Sequence, residues 1–203
     1  QKYYPGQWLA AGTATSVADI KSTVEADNLI VSVFSLAAVG IIILLTFRSI
    51  SLPILLVAVI QIAIWINMGV PYFNGSSLIF IGYLVIKSLQ LGATIDYAIL
   101  LTNRYMDFRL QHEPKEAAEL ALRAAGGSVL TSAIILSLAG YAEGIMSKID
   151  AISTIGMLLG RGAALSGILV LTLLPVLLTV FDKVIMVTTL GTRPIRYKDK
   201  RSA

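Results

Sequence analysis

The stretch that decides the fold of this chain is Leu91-Gly92-Ala93-Thr94-Ile95-Asp96-Tyr97-Ala98-Ile99-Leu100-Leu101-Thr102-Asn103-Arg104-Tyr105. It places Asp96 inside a run of apolar and small residues that extends from Leu78 to Leu101. Arg104 marks the end of that run, about 12 Å from Asp96 along a helix. A charged aspartate in hydrocarbon costs roughly 3 kcal/mol, so it usually faces a bundle interior, a partner or a water path. Asp96 is therefore the first candidate for function, and the alternative is a structural carboxylate bonded to a neighbouring helix.

The composition of the chain predicts an integral membrane protein. Of its 203 residues, 56% are hydrophobic and 14% are charged, and the mean hydropathy is +0.80. A soluble domain usually carries about 25% charged residues. The chain has no cysteine, and its single histidine, His112, lies in a polar loop. We therefore expect no disulfide, no metal or other cofactor, and no intramembrane enzyme built on histidine, cysteine or a pair of acids.

Five apolar stretches predict five membrane-spanning helices, because about 20 helical residues cross 30 Å of hydrocarbon. They cover residues 28–47, 52–70, 78–103, 128–146 and 152–181. The segment 113–125 has the pattern of an amphipathic surface helix that begins at Pro114 and ends at Gly126-Gly127. The fifth stretch is longer than a bilayer requires, so we expect it to tilt or to project. The sequence thus predicts an all-α, five-helix transmembrane bundle with one amphipathic cytoplasmic helix.

The distribution of basic residues predicts the orientation of the bundle. Eleven of the sixteen Lys and Arg residues lie in the turn at Arg48, in residues 104–127 and in the tail after Asp182. Three lysines lie in the segments on the other side of the membrane. By the positive-inside rule, the N-terminus is outside and the C-terminus is in the cytoplasm. This orientation accounts for the basic balance, and we expect no nucleic acid as a partner.

Helical spacing sorts the residues around Asp96 into two neighbouring faces. The first contains Asp96 together with Gly92 and Ala93, whose small side chains let another helix approach the carboxylate closely. The second contains Gln90 and Tyr97. From there Tyr97 can hydrogen-bond across the bundle beside the acid.

Further polar residues in the predicted spans form a candidate polar or anion-binding cavity. They are Lys87, Gln90, Arg161, Thr131 and Ser132. Lys87 and Arg161 either snorkel towards the outer interface or line a wet outer cavity that attracts anionic head groups. Neither cation is expected to pair with Asp96, because both lie nearer the outer interface. Thr131 and Ser132 either complete a polar network around Asp96 or bond the backbone of their own helix.

Three groups of motifs occur in an order that points to one transporter family. They are the stretch 91–100 followed by Asn103-Arg104-Tyr105, then Thr46-Phe47-Arg48-Ser49 before Leu52-Pro53, and Gly160-Arg161-Gly162-Ala163 with Leu173-Leu174-Pro175. They resemble, respectively, the central helix, the first inside turn and the last helix of MmpL-type transporters of the RND superfamily. Together they cover nearly the whole chain in that family's order. Lys87 and Gln61 depart from the family pattern.

The resemblance implies a division of the chain and a function. Residues 1–27 resemble the end of an extracytoplasmic domain, residues 28–181 the five-helix membrane domain and residues 182–203 a basic cytoplasmic tail. The implied activity is export of lipids, drugs or other hydrophobic compounds, driven by the proton-motive force across the bacterial cytoplasmic membrane. Asp96 and Tyr97 match the family's proton relay. The implied partners are protons, membrane lipids, a hydrophobic or amphiphilic substrate, and the other transporter half or another subunit.

A second reading of the same five-helix unit remains open. It also resembles the sterol-sensing domain and the SecD/SecF protein-export accessory. In that reading the chain is a lipid- or sterol-binding or sensing module that does not transport, or an accessory to protein export. Asp96 would then be structural, and ligand binding would not depend on its titration.

Overall fold

The computed structural model describes residues 13–73 and 80–189, which are almost entirely helical. The helices are α1 (Thr13–Phe47), α2 (Ser51–Phe73), α3 (Phe80–Arg109), α4 (Pro114–Met146), α5 (Asp150–Val180) and α6 (Asp182–Thr188). The first five are long and apolar enough to cross a membrane, which confirms the predicted all-helical fold with five membrane-spanning helices. Parts of the predicted extracytoplasmic segment (1–12) and of the predicted tail (190–203) lie outside the described residues.

The first two helices meet at a tight turn, as the sequence predicts. The apolar part of α1 runs from Leu29 to Phe47. Arg48 then adopts a left-handed conformation with a φ of 49°, and its N–H donates to the Leu44 carbonyl at 2.8 Å. A left-handed residue commonly ends a helix in this way. The chain therefore reverses within three residues and enters α2 at Ser51.

The amphipathic segment predicted at residues 113–125 is not a separate helix. It forms the first part of α4, which continues from Pro114 to Met146 without a break at Gly126-Gly127. A glycine inside a helix costs only about 1 kcal/mol relative to alanine. Burial of the alanine face of the segment against the bundle outweighs that cost. The predicted helix end at Gly126-Gly127 is therefore wrong, although the segment has the predicted amphipathic pattern.

Helix α5 lies at the centre of the bundle, where it packs against α2, α3 and α4. Helix α1 lies at the edge and packs mainly against α2 and α3 in the described part of the chain. Most of the largest buried side chains belong to α2, α3 and α5, and they include Leu56, Leu101, Tyr105, Leu174 and Leu178. This packing fixes the relative heights of the three helices that carry the polar residues described below.

One end of the bundle gathers the ends of α1, α3 and α5 with the start of α2, and we call it the basic end because it carries Arg48 and Arg109. The short helix α6 packs there with Asp182 and Ile185 buried. The hydroxyls of Ser51 and Thr188 lie 2.6 Å apart. The first residues of the predicted tail are therefore part of the packed bundle.

Candidate functional site

Asp96 lies on a face of α3 that the other described helices leave uncovered. Its side chain is exposed, as are those of Leu89 and Asn103 on the same face. A Cβ atom added at Gly92 would meet no atom within 4 Å. Among the described residues, no basic group lies within salt-bridge distance of Asp96. The predicted small-residue face around the acid is thus open to a further helix.

The side chain of Tyr97, which follows Asp96, faces the interior of the bundle. Tyr97 is only 6% exposed, and the neighbouring Ala98 and Leu101 are almost completely buried. Consecutive helical residues lie about 100° apart around the axis, since one turn contains 3.6 residues. The buried Tyr97 ring therefore anchors the rotation of α3 and so fixes the direction in which the Asp96 carboxylate points.

A buried network of polar side chains joins α2, α3 and α5. Asn67 and Gln90 are both fully buried. The Asn67 amide donates to Gln90 Oε1 at 2.8 Å and to the Leu158 carbonyl at 2.9 Å. The Gln90 amide nitrogen lies 3.3 Å from both the Gly162 carbonyl and Ser166 Oγ. Each buried amide thus has partners, as buried polar groups require.

Arg161 joins this network through Asn67 and not through Asp96. Its Nε donates to Asn67 Oδ1 at 2.8 Å, and its Nη2 donates to the Asn67 carbonyl at 3.0 Å. Sequence reasoning selected Gln90 and Arg161 but missed Asn67, which connects them. The available signal was an amide side chain inside the otherwise apolar second span.

Lys87 and Arg161 lie at similar heights on different sides of the bundle. Arg161 is 19 residues before Val180, and Lys87 is 18 residues before Tyr105, which contacts the end of α5. Both therefore lie about 28 Å from the basic end, close to the ~30 Å thickness of the hydrocarbon. This height places both cations near the membrane interface opposite the basic end.

Lys87 borders a small polar pocket between α1, α2 and α3. Its Nζ donates to Ser32 Oγ at 3.3 Å. The cavity volume is about 70 Å³, and Ser35, Gln61 and Ser88 also line it. Gln61, which departs from the family pattern, thus shares this pocket with Lys87, the other departure. Arg161 is not part of the pocket.

Thr131 and Ser132 lie on an exposed face of α4, apart from Asp96 and from the buried network. The Thr131 hydroxyl donates to the Gly127 carbonyl of its own helix at 2.9 Å. This is the ordinary bond of a helical threonine, and it leaves no hydroxyl proton for a partner on another helix. The structure therefore does not bring the five predicted cavity residues together in one cavity.

A second polar cluster at the basic end ties α3 to the junction of α5 and α6. Arg109 binds Asp182 through two parallel bonds, Nε to Oδ1 at 2.8 Å and Nη2 to Oδ2 at 2.9 Å. The Tyr105 hydroxyl donates to the same carboxylate at 2.7 Å. The sequence did not single out this cluster, because its partners are more than 70 residues apart and no local spacing connects them.

The described helices and their buried polar contacts define a multi-pass, all-helical protein of the cell membrane. Within that class, the chain belongs to the MMPL family, whose sequence model matches residues 8–201. The resemblance to MmpL-type transporters is thereby confirmed.

Several curated proteins are similar to this chain. The apo-petrobactin exporter of Bacillus anthracis is 30% identical over 100 residues, 49% of this chain and 13% of the exporter. Membrane protein SCO0839 of Streptomyces coelicolor is 28% identical over 179 residues, 85% of this chain and 25% of that protein. The "Probable transport protein MmpL12" of Mycobacterium tuberculosis is 24% identical over 177 residues, 83% of this chain and 15% of that protein. The chain thus matches a quarter or less of the length of these relatives, and no solved structure is a significant match.

Proposed function

We propose that this chain is part of an exporter of lipids or other hydrophobic compounds that is driven by the proton-motive force. Membership of the MMPL family and the names of two relatives, an exporter and a transport protein, support export. The observation that carries the proton coupling is the position of Asp96. It is an acid without a basic partner among the described residues, in the middle of an apolar span.

The uncovered face of α3 supports the proposal that the rest of the exporter binds there. Asp96 lies nine residues before Tyr105, or about 14 Å from the basic end, near the middle of the hydrocarbon. A carboxylate facing lipid at that depth costs roughly 3 kcal/mol. A helix that packs on the open surface at Gly92 removes the acid from lipid and encloses a water path beside it. We assign that helix to the other transporter half or to another subunit.

The proposed cycle uses the two protonation states of Asp96. The protonated acid is neutral and tolerates a dry helix interface, whereas the carboxylate requires water or a cation. When Asp96 takes up a proton from one side of the membrane, it favours a dry packing of the α3 face. When it releases the proton to the other side, it favours a hydrated packing of the same face. The membrane potential supplies about 2.3 kcal/mol per charge and 100 mV. We assign Tyr97 as the second member of the relay, and its ring is buried in the bundle beside the acid in sequence.

Asp96→Asn tests this proposal in the full-length protein expressed in cells. The change keeps the shape of the side chain but removes its titration, so we expect efflux of a fluorescent hydrophobic dye to fall at least tenfold. Tyr97→Phe should reduce efflux by less, because the ring stays in the core. The matched control is Asp107→Asn, since the Asp107 side chain is 66% exposed beside Arg104.

The two variants must differ for the proposal to stand. Efflux at the wild-type rate in Asp96→Asn, with normal membrane expression, would show that the relay assignment is wrong. The non-transporting lipid-binding module would then be the better account. Equal losses in Asp96→Asn and Asp107→Asn would also contradict a specific role for the intramembrane acid.

A further inference from the structure

A groove with apolar walls runs between α4 and α5 on the outside of the bundle. Its cavity volume is about 340 Å³, within the range of small-molecule sites, about 300–1,000 Å³. Ala133 and Gly167 pack directly together on its floor, since a Cβ at Gly167 would lie 2.6 Å from the Ala133 Cβ. Leu130, Leu138 and Ile168 form its rims and are 51%, 63% and 58% exposed. The groove therefore presents a continuous apolar channel to the lipid.

The length and height of the groove match one leaflet of a bilayer. Its lining on α4 extends from Leu130 to Tyr141, which lies eleven positions, or about 16 Å, further along the helix. The hydrocarbon is about 30 Å thick, so the groove spans half of it. Tyr141 packs against Gly160, so this end of the groove lies at the height of Arg161, near the interface opposite the basic end. The groove extends from that interface to the middle of the membrane.

A positive charge lies at the interface end of the groove. Arg161 precedes the groove residues Ala164 and Ile168 by three and seven positions, so it lies on the same side of α5, one turn beyond the groove. Tyr141 packs against Gly160, the residue that precedes Arg161. In the part of the chain that the structure describes, no carboxylate lies within salt-bridge distance of this guanidinium. Its Nε and Nη2 bind Asn67, which leaves Nη1 as a donor.

We propose that this groove binds one acyl chain of an anionic phospholipid from the surrounding bilayer, with the phosphate at Arg161 and Tyr141. The apolar channel covers the chain, and the guanidinium provides charge-assisted hydrogen bonds to the phosphate. The Tyr141 hydroxyl adds a polar contact where a lipid changes from chain to head group. The phosphate in turn neutralises a cation that Asn67 solvates only in part. The site does not depend on proton transfer at Asp96.

Native mass spectrometry of the full chain in detergent tests the site, with phosphatidylglycerol and phosphatidylcholine of the same acyl chains as probes. We expect the wild type to retain phosphatidylglycerol preferentially. Arg161→Gln should lower that retention at least fivefold, to the level of phosphatidylcholine. Ala164→Phe fills the groove but keeps the Arg161 side chain, so it should lower phosphatidylglycerol retention at least fivefold as well.

Two matched variants control for charge and for bulk. Lys183→Gln removes an exposed cation at the basic end, and Ile135→Phe enlarges an exposed side chain of α4 outside the groove. Both should retain the lipid as the wild type does. Arg161→Lys keeps the charge and should keep at least half of the retention, which separates loss of charge from loss of fold.

Either of two results would overturn the proposal. One is equal retention of the two lipids by the wild type, which would leave only non-specific lipid contact. The other is wild-type retention of phosphatidylglycerol in Arg161→Gln or in Ala164→Phe. Because no transport is measured, failure here is distinguishable from failure of the proton-coupled export proposed above.

Discussion

At Gly162 the packing of α2, α3 and α5 leaves no room for a side chain. A Cβ there would lie 2.5 Å from Gln90 Oε1 and 2.7 Å from Asn67 Nδ2. Both amides are held by their own hydrogen bonds, so neither can move without losing a partner. Close packing thus explains why the second glycine of the motif Gly160-Arg161-Gly162-Ala163 is needed in this chain.

Gly162→Ala should therefore destabilise the protein. We expect a loss of about 1–3 kcal/mol, the usual range for overpacking, seen as a lower melting temperature in detergent. Gly40→Ala is the matched control, because a Cβ at Gly40 would meet no atom within 4 Å and alanine gains up to about 1 kcal/mol in a helix. A Gly162→Ala protein that melts with the wild type would contradict the described network.

The ion pair at the basic end should contribute more to stability than the surface pair one turn away. The Arg109 and Asp182 side chains are 16% and 7% exposed, and their bonds are bidentate. Arg109→Gln leaves a buried carboxylate short of a partner, and we expect a loss of roughly 2–3 kcal/mol, below the 3–5 kcal/mol of a fully buried pair.

Arg104→Gln provides the comparison for this ion pair. Arg104 and Asp107 are 52% and 66% exposed and 3.7 Å apart. An exposed pair of this kind contributes about 0–1 kcal/mol, so the variant should unfold nearly as the wild type does. Denaturant titration of both variants measures the difference, and equal stabilities would refute the assigned role of Arg109.

The residues of the candidate site differ in how far the sequence could predict them. The position of Asp96 inside a membrane-spanning helix was predictable from the apolar run around it. Asn67 was not selected, because an uncharged amide in an apolar span is less unusual than a carboxylate. The bond between Arg109 and Asp182 joins residues 73 positions apart, and helical spacing carries no information at that range.

At the scale of elements, the contact of α4 with α5 depends on glycines that face each other. A Cβ at Gly140 would overlap the backbone of Gly160 and lie 2.9 Å from the Gly156 carbonyl. Ser137 Oγ donates to the Gly160 carbonyl at 2.8 Å across the same contact. Small residues on both helices allow this close approach.

Gly140→Ala should separate α4 from α5, because backbone atoms cannot rotate away as a side chain can. We expect a loss of about 1–3 kcal/mol in thermal unfolding. Gly127→Ala lies in the same helix but in open space, and should be neutral or stabilising by up to about 1 kcal/mol. The opposite order of stabilities would rule out this helix contact.

The continuous helix α4 shows that some helix ends can be predicted from the sequence and others cannot. The glycine pair predicted a helix end at Gly126-Gly127, and the helix instead continues to Met146. The low helix propensity of glycine favours a break there. It costs only about 1 kcal/mol per glycine, so tertiary packing can keep the helix continuous. The turn at Arg48 was predicted well, because Arg48 interrupts two long apolar runs.

At the scale of the whole molecule, the number of spans followed from the sequence, but the arrangement of the helices did not. Run length alone identifies a span, because the bilayer sets a fixed thickness. The central place of α5 depends on which faces carry small residues and on contacts such as that of Arg161 with Asn67. Those relations are properties of pairs of helices, so they became visible only in the structure.

The predicted orientation can be measured directly, because the chain has no cysteine of its own. We expect a membrane-impermeant maleimide added to intact cells to label Ser147→Cys, in the turn between α4 and α5. Gln111→Cys, between α3 and α4, should be labelled only after permeabilisation. The reverse pattern would show that the positive-inside rule gives the wrong orientation for this protein.

The polar cluster of Arg109, Tyr105 and Asp182 at the basic end limits how α3, the helix that carries Asp96, can move. A slide of α3 along its axis by a single turn, about 5.4 Å, would break the hydrogen bonds of Tyr105 and Arg109 to Asp182. Helix α3 can instead tilt about its end at this cluster. Asp96, about halfway up, would then swing through roughly half the arc travelled by Lys87, about 28 Å from the pivot.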